Sequence, residues 1–372
     1  MKRRELIKNG GLAIIASAIA PSVLAQEKEN DFSLEKEKIG YAILGLGFFA
    51  SYVIPKIKMC EKSKVTALIS NDKDKANEWK TKYNLSNCKI YNYDEFNKIK
   101  NDTSIDSIYI ATPVGTHKDF ALKSFEAGKH VMTEKTMAKS PKEGLQMINA
   151  AKSANKKLMV AYRARYEPFN QDCIESIKNE TYGKITAITA HKGFFIGDRL
   201  GKDNWRIDKE LAGGGALTDI GIYSVQACRY LTGQEPTEVF AFATKNKSKF
   251  NDLEESLSFT LKFNDNVLAT GSASWNYSLQ NYFRVGTTNG YLQLEPATSN
   301  TNLRMIVKQE NPTIIGEKYL RNIDQIPAMF DHFSDCILNN KEPKTNGEEG
   351  LKDLKVIQAL YESVEKNRPI HL

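Results

Sequence analysis

The sequence predicts an α/β protein in two parts: a doubly wound parallel sheet of the Rossmann type, then an α+β domain on a largely antiparallel, open-faced sheet. Three observations carry this. Short apolar strands alternate with helical stretches between residues 39 and 161, and after Tyr162 the rhythm changes to a series of alternating strands with few helices between them. The chain of 372 residues, 41% hydrophobic and 26% charged, is long enough for about two domains of ordinary globular composition.

The elements follow in order. Residues 39–44 are a short apolar strand, and 48–59 have helical spacing, with Pro55 kinking the helix or lying near its start. Residues 64–69 read as a second strand and 72–83 as an amphipathic helix. Strands at 107–111, 130–133 and 157–161 alternate with helices at 118–127 and 141–154, which implies a parallel sheet covered on both faces. Beyond a helix after Tyr162, strands are expected at 184–191, 238–244, 256–263, 267–275, 282–286 and 291–294. Turns such as Asn264-Asp265-Asn266 and Asn289-Gly290 join them. Helices at 326–338 and 348–365 close the chain. The expected domains are therefore 39–161 and 162–372. Along 267–275, Val267, Ala269, Gly271, Ala273 and Trp275 alternate on one side, and an apolar sheet face needing a partner, in a homodimer or homotetramer, is the expectation.

Residues 1–25 read as an export signal. Met1-Lys2-Arg3-Arg4 is a basic start, 12–20 a short apolar stretch, and 22–25 end in a small residue suited to cleavage before Gln26. The stretch is too short to span a membrane and is broken by Pro21. Arg3-Arg4 fits the twin-arginine route, which predicts a periplasmic or otherwise exported protein; an ordinary secretion signal is the alternative. Residues 26–38, rich in Glu and Lys, form an arm. The formal charge is +7, of which the first 25 residues supply three, and no basic run interleaved with aromatics appears, so a nucleic-acid partner is not expected. Five scattered cysteines and five histidines show no metal-ligand spacing, and no metal is expected.

The chemistry begins where the first strand runs into Gly45-Leu46-Gly47-Phe48-Phe49-Ala50, a G-x-G-x-x-A turn opening a helix. A glycine at the turn, another where backbone must approach a pyrophosphate, and a helix N-terminus are what a dinucleotide requires. An NAD site usually has an acid after the second strand. Here that place holds Ser70-Asn71, with Asp72 late and Lys73 and Lys75 behind it, and a hydroxyl with an ammonium suits a 2′-phosphate. NADP is preferred over NAD.

Two further segments, 110–117 with Thr112, Pro113 and His117, and 127–135 ending in Glu134-Lys135, resemble the Gfo/Idh/MocA oxidoreductases, whose pattern is T-P-x-x-x-H, A-G-K-H-V and E-K-P. Residues 213–223 resemble that family's second motif, G-G-G-x-L-x-D-x-G-x-[HY]. Tyr162-Arg163, Tyr166-Glu167-Pro168, Trp205-Arg206 and Tyr rather than His at 223 resemble its glucose-fructose oxidoreductase branch. Thr136 departs from the pattern, replacing the usual proline after Lys135 and leaving the rigidity of that loop open. The resemblance implies a sugar oxidoreductase, with the cofactor recycled in place between two sugars. Asp219 and Tyr223, four apart on an expected helix, share one face. Tyr223 would exchange the hydroxyl proton and Asp219 orient the sugar. Lys135 would hold the substrate oxygen and make the phenol, which ordinarily titrates near ~10, a usable base. Trp205 and Arg206 are expected at the sugar, while His117 and Arg163 are candidates for the cofactor, each with a purely structural alternative. The rival functions are an NAD-dependent glycosidase of related fold and a non-catalytic sugar-binding protein.

Overall fold

The computed structural model describes residues 38–196, 200–201, 204–277, 279–321 and 323–372, so the export signal at 1–25 and the arm up to residue 37 lie outside the described residues. The described residues form one compact unit.

Strand β1 (Ile39–Leu44) is buried along its whole length, as the centre of a parallel sheet requires. With β2 (Ser63–Ile69), β3 (Lys89–Tyr91), β4 (Ser107–Ile110), β5 (His130–Thr133) and β6 (Leu158–Val160) it builds a six-stranded parallel sheet of order β3-β2-β1-β4-β5-β6. The connections carry helices α1 (Phe48–Ile57), α2 (Lys73–Lys82), α3 (Phe96–Lys100), α4 (His117–Glu126) and α5 (Pro141–Ser153). Successive side chains of β1 face opposite ways. Ala42 and Leu44 join a core with Phe125 and Met147, whereas Tyr41 and Ile43 join one with Ile54 and Ile57 of α1. Pro55 sits inside α1, past its first turn.

After β6 come α6 (Pro168–Lys178), α7 (Lys209–Ala212), α8 (Ile222–Thr232) and α9 (Lys247–Phe250). The second sheet consists of β7 (Ile185–Gly193), β8 (Glu238–Lys245), β9 (Glu254–Lys262), β10 (Leu268–Ser274), β11 (Gln280–Thr287), β12 (Gly290–Leu294), β13 (Met305–Gln309), β14 (Ile314–Lys318) and β15 (Ile370–His371). Their order is β14-β13-β12-β11-β7-β10-β9-β8-β15, antiparallel throughout except where β10 pairs with β7.

Strand β6 ends at Val160, and the chain beyond it does not stay with the second sheet. Helix α10 (Gln325–Leu338) returns to the first, where Phe330 meets Tyr41 and Tyr109 edge-on at 5.0 and 5.1 Å and Asp331 accepts from the backbone N–H groups of Glu61 and Lys62. The last long helix, α11 (Gly347–Lys366), supplies Leu354, Ile357 and Leu360 to the core that both sheets share.

The alternation of Val267, Ala269, Gly271, Ala273 and Trp275 belongs to the face that the chain covers itself. All five are buried, Ala269 in the large core and Ala273 with Trp275 in a cluster with Ile220 and Phe250. The opposite face is the open one, and there Phe242 and Leu268 stand 62% and 50% exposed among Thr and Ser.

Candidate active site

The carboxyl ends of β1, β2, β4 and β5 converge on a cavity of about 530 Å³, where an open α/β sheet offers its ligand site. At the end of β1, Gly45 takes φ +92°, a conformation that side chains rarely adopt, and a Cβ there would press to 2.7 Å from Thr112 Cγ2. Gly47 precedes α1 and no side chain caps the helix, so its first N–H groups face an open space suited to an anion. Gly45, Gly47, Phe48, Ser70, Lys75, Thr112 and Pro113 all line the cavity. Asp72 lines it too, but its Oδ1 accepts from the Lys75 N–H at 2.9 Å and caps α2, while its own N–H donates to Ser70 Oγ at 3.1 Å. One carboxylate oxygen is thus engaged by its own helix; Ser70 and Lys75 line the cavity beside it, with the Lys75 ammonium 5.7 Å from the Trp79 ring centre, and Lys73 is exposed. These residues fit a dinucleotide carrying a 2′-phosphate.

The cavity continues to Glu134, Lys135, Asp219 and Tyr223. Glu134 is buried, accepts from the Tyr109 hydroxyl at 2.6 Å, and is pushed up by burial. Lys135 Nζ donates to the Asp219 carbonyl at 2.6 Å and lies 5.5 Å from the centre of the Tyr223 ring. The Asp219 carboxylate is itself fixed, because Oδ2 accepts from Trp275 Nε1 and Arg206 Nε, both at 3.2 Å. The Arg206 guanidinium stacks on Trp205 at 4.4 Å. An ammonium has three donors, so Lys135 retains two for a substrate oxygen.

Asp219 does not stand on the regular helix that the four-residue spacing predicts. Leu217–Gly221 form a widened π-type turn that leads into α8. Glu254 explains the glycines before it. Its carboxylate, buried and pushed up by burial, accepts from the N–H groups of Gly215 and Leu217, both at 2.9 Å. A Cβ on Gly215 would come within 2.2 Å of the Glu254 carbonyl oxygen, so only glycine lets the strand and the turn approach this closely.

Thr136, where the sequence departs from the E-K-P pattern it resembles, has an anchor of its own. Its hydroxyl donates to the Thr218 carbonyl at 2.9 Å, next to Asp219.

Two expected cofactor residues lie elsewhere. His117 is 1% exposed, with Nδ1 3.0 Å from the Thr136 carbonyl and Nε2 2.9 Å from that of Thr112. Burial pushes it down to about 4, so the ring is neutral, donates to one of these carbonyls, and ties the Thr112 and Thr136 loops together. Arg163 also turns away from the cavity. Its Nη1 donates to Asn300 at 2.8 Å and Gln325 at 2.9 Å, its Nη2 donates to the Thr298 carbonyl at 2.7 Å, and its guanidinium carbon lies 5.4 Å from the Tyr223 ring centre.

Phe194, Ile220 and Trp275 also line the cavity; the alternation that carries Trp275 predicts a sheet face needing a partner rather than a site residue. Part of the 194–205 loop lies outside the described residues. Among the described residues no group of His, Cys, Asp and Glu could hold a metal, and all five cysteines are free and buried.

Residues 39–162 match the oxidoreductase family with an NAD-binding Rossmann fold, and residues 171–293 match the GFO/IDH/MocA C-terminal domain. The chain belongs to the Gfo/Idh/MocA oxidoreductase family. It is similar to the crystal structure of aldose-aldose oxidoreductase from Caulobacter crescentus in complex with glycerol. Identity is 36% with a TM-score of 0.85, covering 90% of this chain and 100% of that one. D-xylose 1-dehydrogenase [NADP(+)] of Haloarcula marismortui is 28% identical over 337 residues, covering 90% of this chain and 93% of that protein. The NADP(+)-dependent D-xylose 1-dehydrogenase 2 of Haloferax volcanii is 27% identical over 344 residues, covering 89% and 99%. Levoglucosan dehydrogenase in complex with NADH and levoglucosan, 20% identical with a TM-score of 0.80, shares the fold.

Proposed function

We propose that this Gfo/Idh/MocA oxidoreductase is an exported aldose oxidoreductase that keeps NADP(H) bound and recycles it between two sugars. The observation that carries this is the convergence of Lys135, Asp219 and Tyr223 in a cavity that the Gly45–Gly47 turn, Ser70 and Lys75 also line. NADP, when bound, supplies the nicotinamide carbon that accepts or returns the hydride. Gly47 and the start of α1 hold its pyrophosphate, and Ser70 and Lys75 its 2′-phosphate. Lys135 holds the reacting sugar oxygen. Tyr223 takes the hydroxyl proton on oxidation and gives it back on reduction, and Asp219 orients the sugar together with Arg206 and Trp205. The NADP-dependent D-xylose dehydrogenases and the aldose-aldose oxidoreductase support the cofactor and the aldose substrate.

Export, through Arg3-Arg4, and retention of cofactor belong together, because free dinucleotide is not available outside the cytoplasm and a twin-arginine route carries a folded, loaded protein. The test is denaturation of the purified protein, which should release NADP(H) in near-stoichiometric amount. Addition of an aldose to the intact protein should raise the absorbance of reduced nicotinamide, and a second sugar should lower it. Release of NAD alone would overturn the cofactor assignment, and net consumption of added NADP with no bound pool would overturn recycling. Replacing Arg3 and Arg4 by lysine should stop export; normal export would point to ordinary secretion. The open sheet face with Phe242 and Leu268 is where a homodimer or homotetramer forms, and a monomer in sedimentation at micromolar concentration would contradict it.

A further inference from the structure

Glu254, the first residue of β9, is a buried carboxylate, 4% exposed. Among the described residues no lysine or arginine pairs with it. Three donors meet it instead. Oε2 accepts from the Gly215 N–H at 2.9 Å, and Oε1 accepts from the Leu217 N–H at 2.9 Å and from the Tyr361 hydroxyl of α11 at 2.8 Å. Taking a carboxylate out of water is costly unless its hydrogen bonds are replaced, and here two of the replacements come from backbone two residues apart.

The bonds run on to Asp219. The Gly215 carbonyl accepts from the Asp219 N–H at 3.0 Å, so Gly215 is gripped by Glu254 at its nitrogen and grips Asp219 at its oxygen. The Asp219 carbonyl is held from the other side by Lys135. Tyr361 Oη lies 3.0 Å from Thr218 Oγ1, and because the phenol spends its one proton on Glu254, the Thr218 hydroxyl is the donor there. A Cβ on Gly214 would come within 2.4 Å of Tyr361 Oη, so this glycine leaves room for the hydroxyl as Gly215 leaves room for Glu254. Neither Glu254 nor Tyr361 lines the cavity.

We propose that Glu254, with Tyr361 as its donor, is a positioning residue for sugar binding: by holding the turn before α8 it sets the backbone of Asp219, and with it the direction of the Asp219 carboxylate. This rests on the reading of Asp219 as the residue that orients the sugar. Glu254 touches neither sugar nor cofactor, and its effect reaches the site through the Gly215 peptide and the Thr218 hydroxyl.

The experiment is single-turnover reduction of the bound nicotinamide in the NADP-loaded protein at increasing aldose concentration. Glu254→Gln keeps the volume but offers an acceptor at only one of the two oxygen positions, and the amide nitrogen at the other meets an N–H of the turn. The aldose concentration for half the limiting rate should rise about tenfold, with the limiting rate within about threefold of the parent and bound NADP retained. A role in folding alone would lower the yield of folded protein and leave that concentration at the parent value in the folded molecules, which would overturn the proposal. Glu254→Gln combined with Asp219→Asn should bind aldose no worse than Asp219→Asn by more than about twofold, because Glu254 acts through that carboxylate; full addition of the two losses would overturn it. Tyr361→Phe takes one donor from Glu254 and should raise the half-saturating concentration about twofold to threefold. It carries the test if Glu254→Gln fails to fold, and a parent value would then overturn the proposal. Asp219→Asn alone separates the two readings. If it keeps the parent dependence on aldose, the reading of Asp219 falls. If it weakens aldose binding while folded Glu254→Gln does not, only the positioning role falls.

Discussion

The Lys135 ammonium donates to the backbone carbonyl of Asp219 at 2.6 Å, while the Asp219 carboxylate, 4.0 Å away, is turned toward Trp275 and Arg206. A residue just after β5 of the first sheet is thereby tied to the turn that feeds α8, and the two halves of the site are set against each other by one charged hydrogen bond.

Lys135→Met should therefore lower the rate of hydride transfer by ~100-fold or more, the scale of an acid–base and electrostatic contribution, and lower stability by about 1.5–3 kcal/mol for the lost charged hydrogen bond. Asp219→Asn should act mainly on the apparent affinity for sugar. Single-turnover reduction of the bound nicotinamide by a panel of aldoses reads both. A Lys135→Met protein that turns over at the parent rate would remove Lys135 from the chemistry.

Cofactor choice is testable at Ser70, which is 6% exposed at the end of β2. Ser70→Asp places a carboxylate where the 2′-phosphate would lie, and it should weaken NADP binding by about 10-fold to 100-fold while sparing NAD, which carries a hydroxyl there. Competitive titration with the two nucleotides measures the ratio. An unchanged NADP preference would show that Ser70 does not face the 2′ position.

The strands and helices of the first sheet were legible because apolar runs bounded by glycines and caps are local signals: β1 and β5 fall on their expected residues, and α2 begins one residue after its cap, Asp72. Short elements such as β3 and α3, and the β13–β14 pair that Pro312 interrupts, lack enough residues to show a period. Lys192, a charged residue on the covered face of β7, breaks the alternation that identifies a strand, so the sequence predicts an end at His191 where the strand runs to Gly193. His117 and Arg163 show the converse limit, since a motif position does not say whether a side chain faces the ligand or the loops that hold it.

Stability should fall in mild acid. Burial pushes both His117 and His130 down from 6.5 to about 4. Above pH 6.5 both rings are neutral in the folded and the unfolded chain and add no pH dependence. As the pH falls from 6.5 toward 4, the unfolded imidazoles bind protons that the folded ones refuse, and stability is lost across that window. Thermal melts between pH 7 and pH 4.5 should show the decline. His130→Gln, which retains an acceptor for the Lys157 N–H that His130 Nδ1 takes at 3.0 Å, should flatten it. An identical slope in that variant would place the proton uptake elsewhere.

Thr136 provides the last test, because it departs from the E-K-P pattern that the sequence resembles and its hydroxyl reaches the Thr218 carbonyl at 2.9 Å. Thr136→Val keeps the shape and removes that bond, leaving the buried carbonyl without this donor. One buried hydrogen bond contributes about 1 kcal/mol, and the bond joins the residue after Lys135 to the residue before Asp219, so part of the loss should appear as misplacement of the ammonium. The expected result is a rate about 3-fold to 10-fold lower, with bound nucleotide retained. A variant that loses stability but keeps the parent rate per folded molecule would make the Thr136 bond a matter of folding alone, and the placement of Lys135 would then rest on His117 and the Asp219 carbonyl.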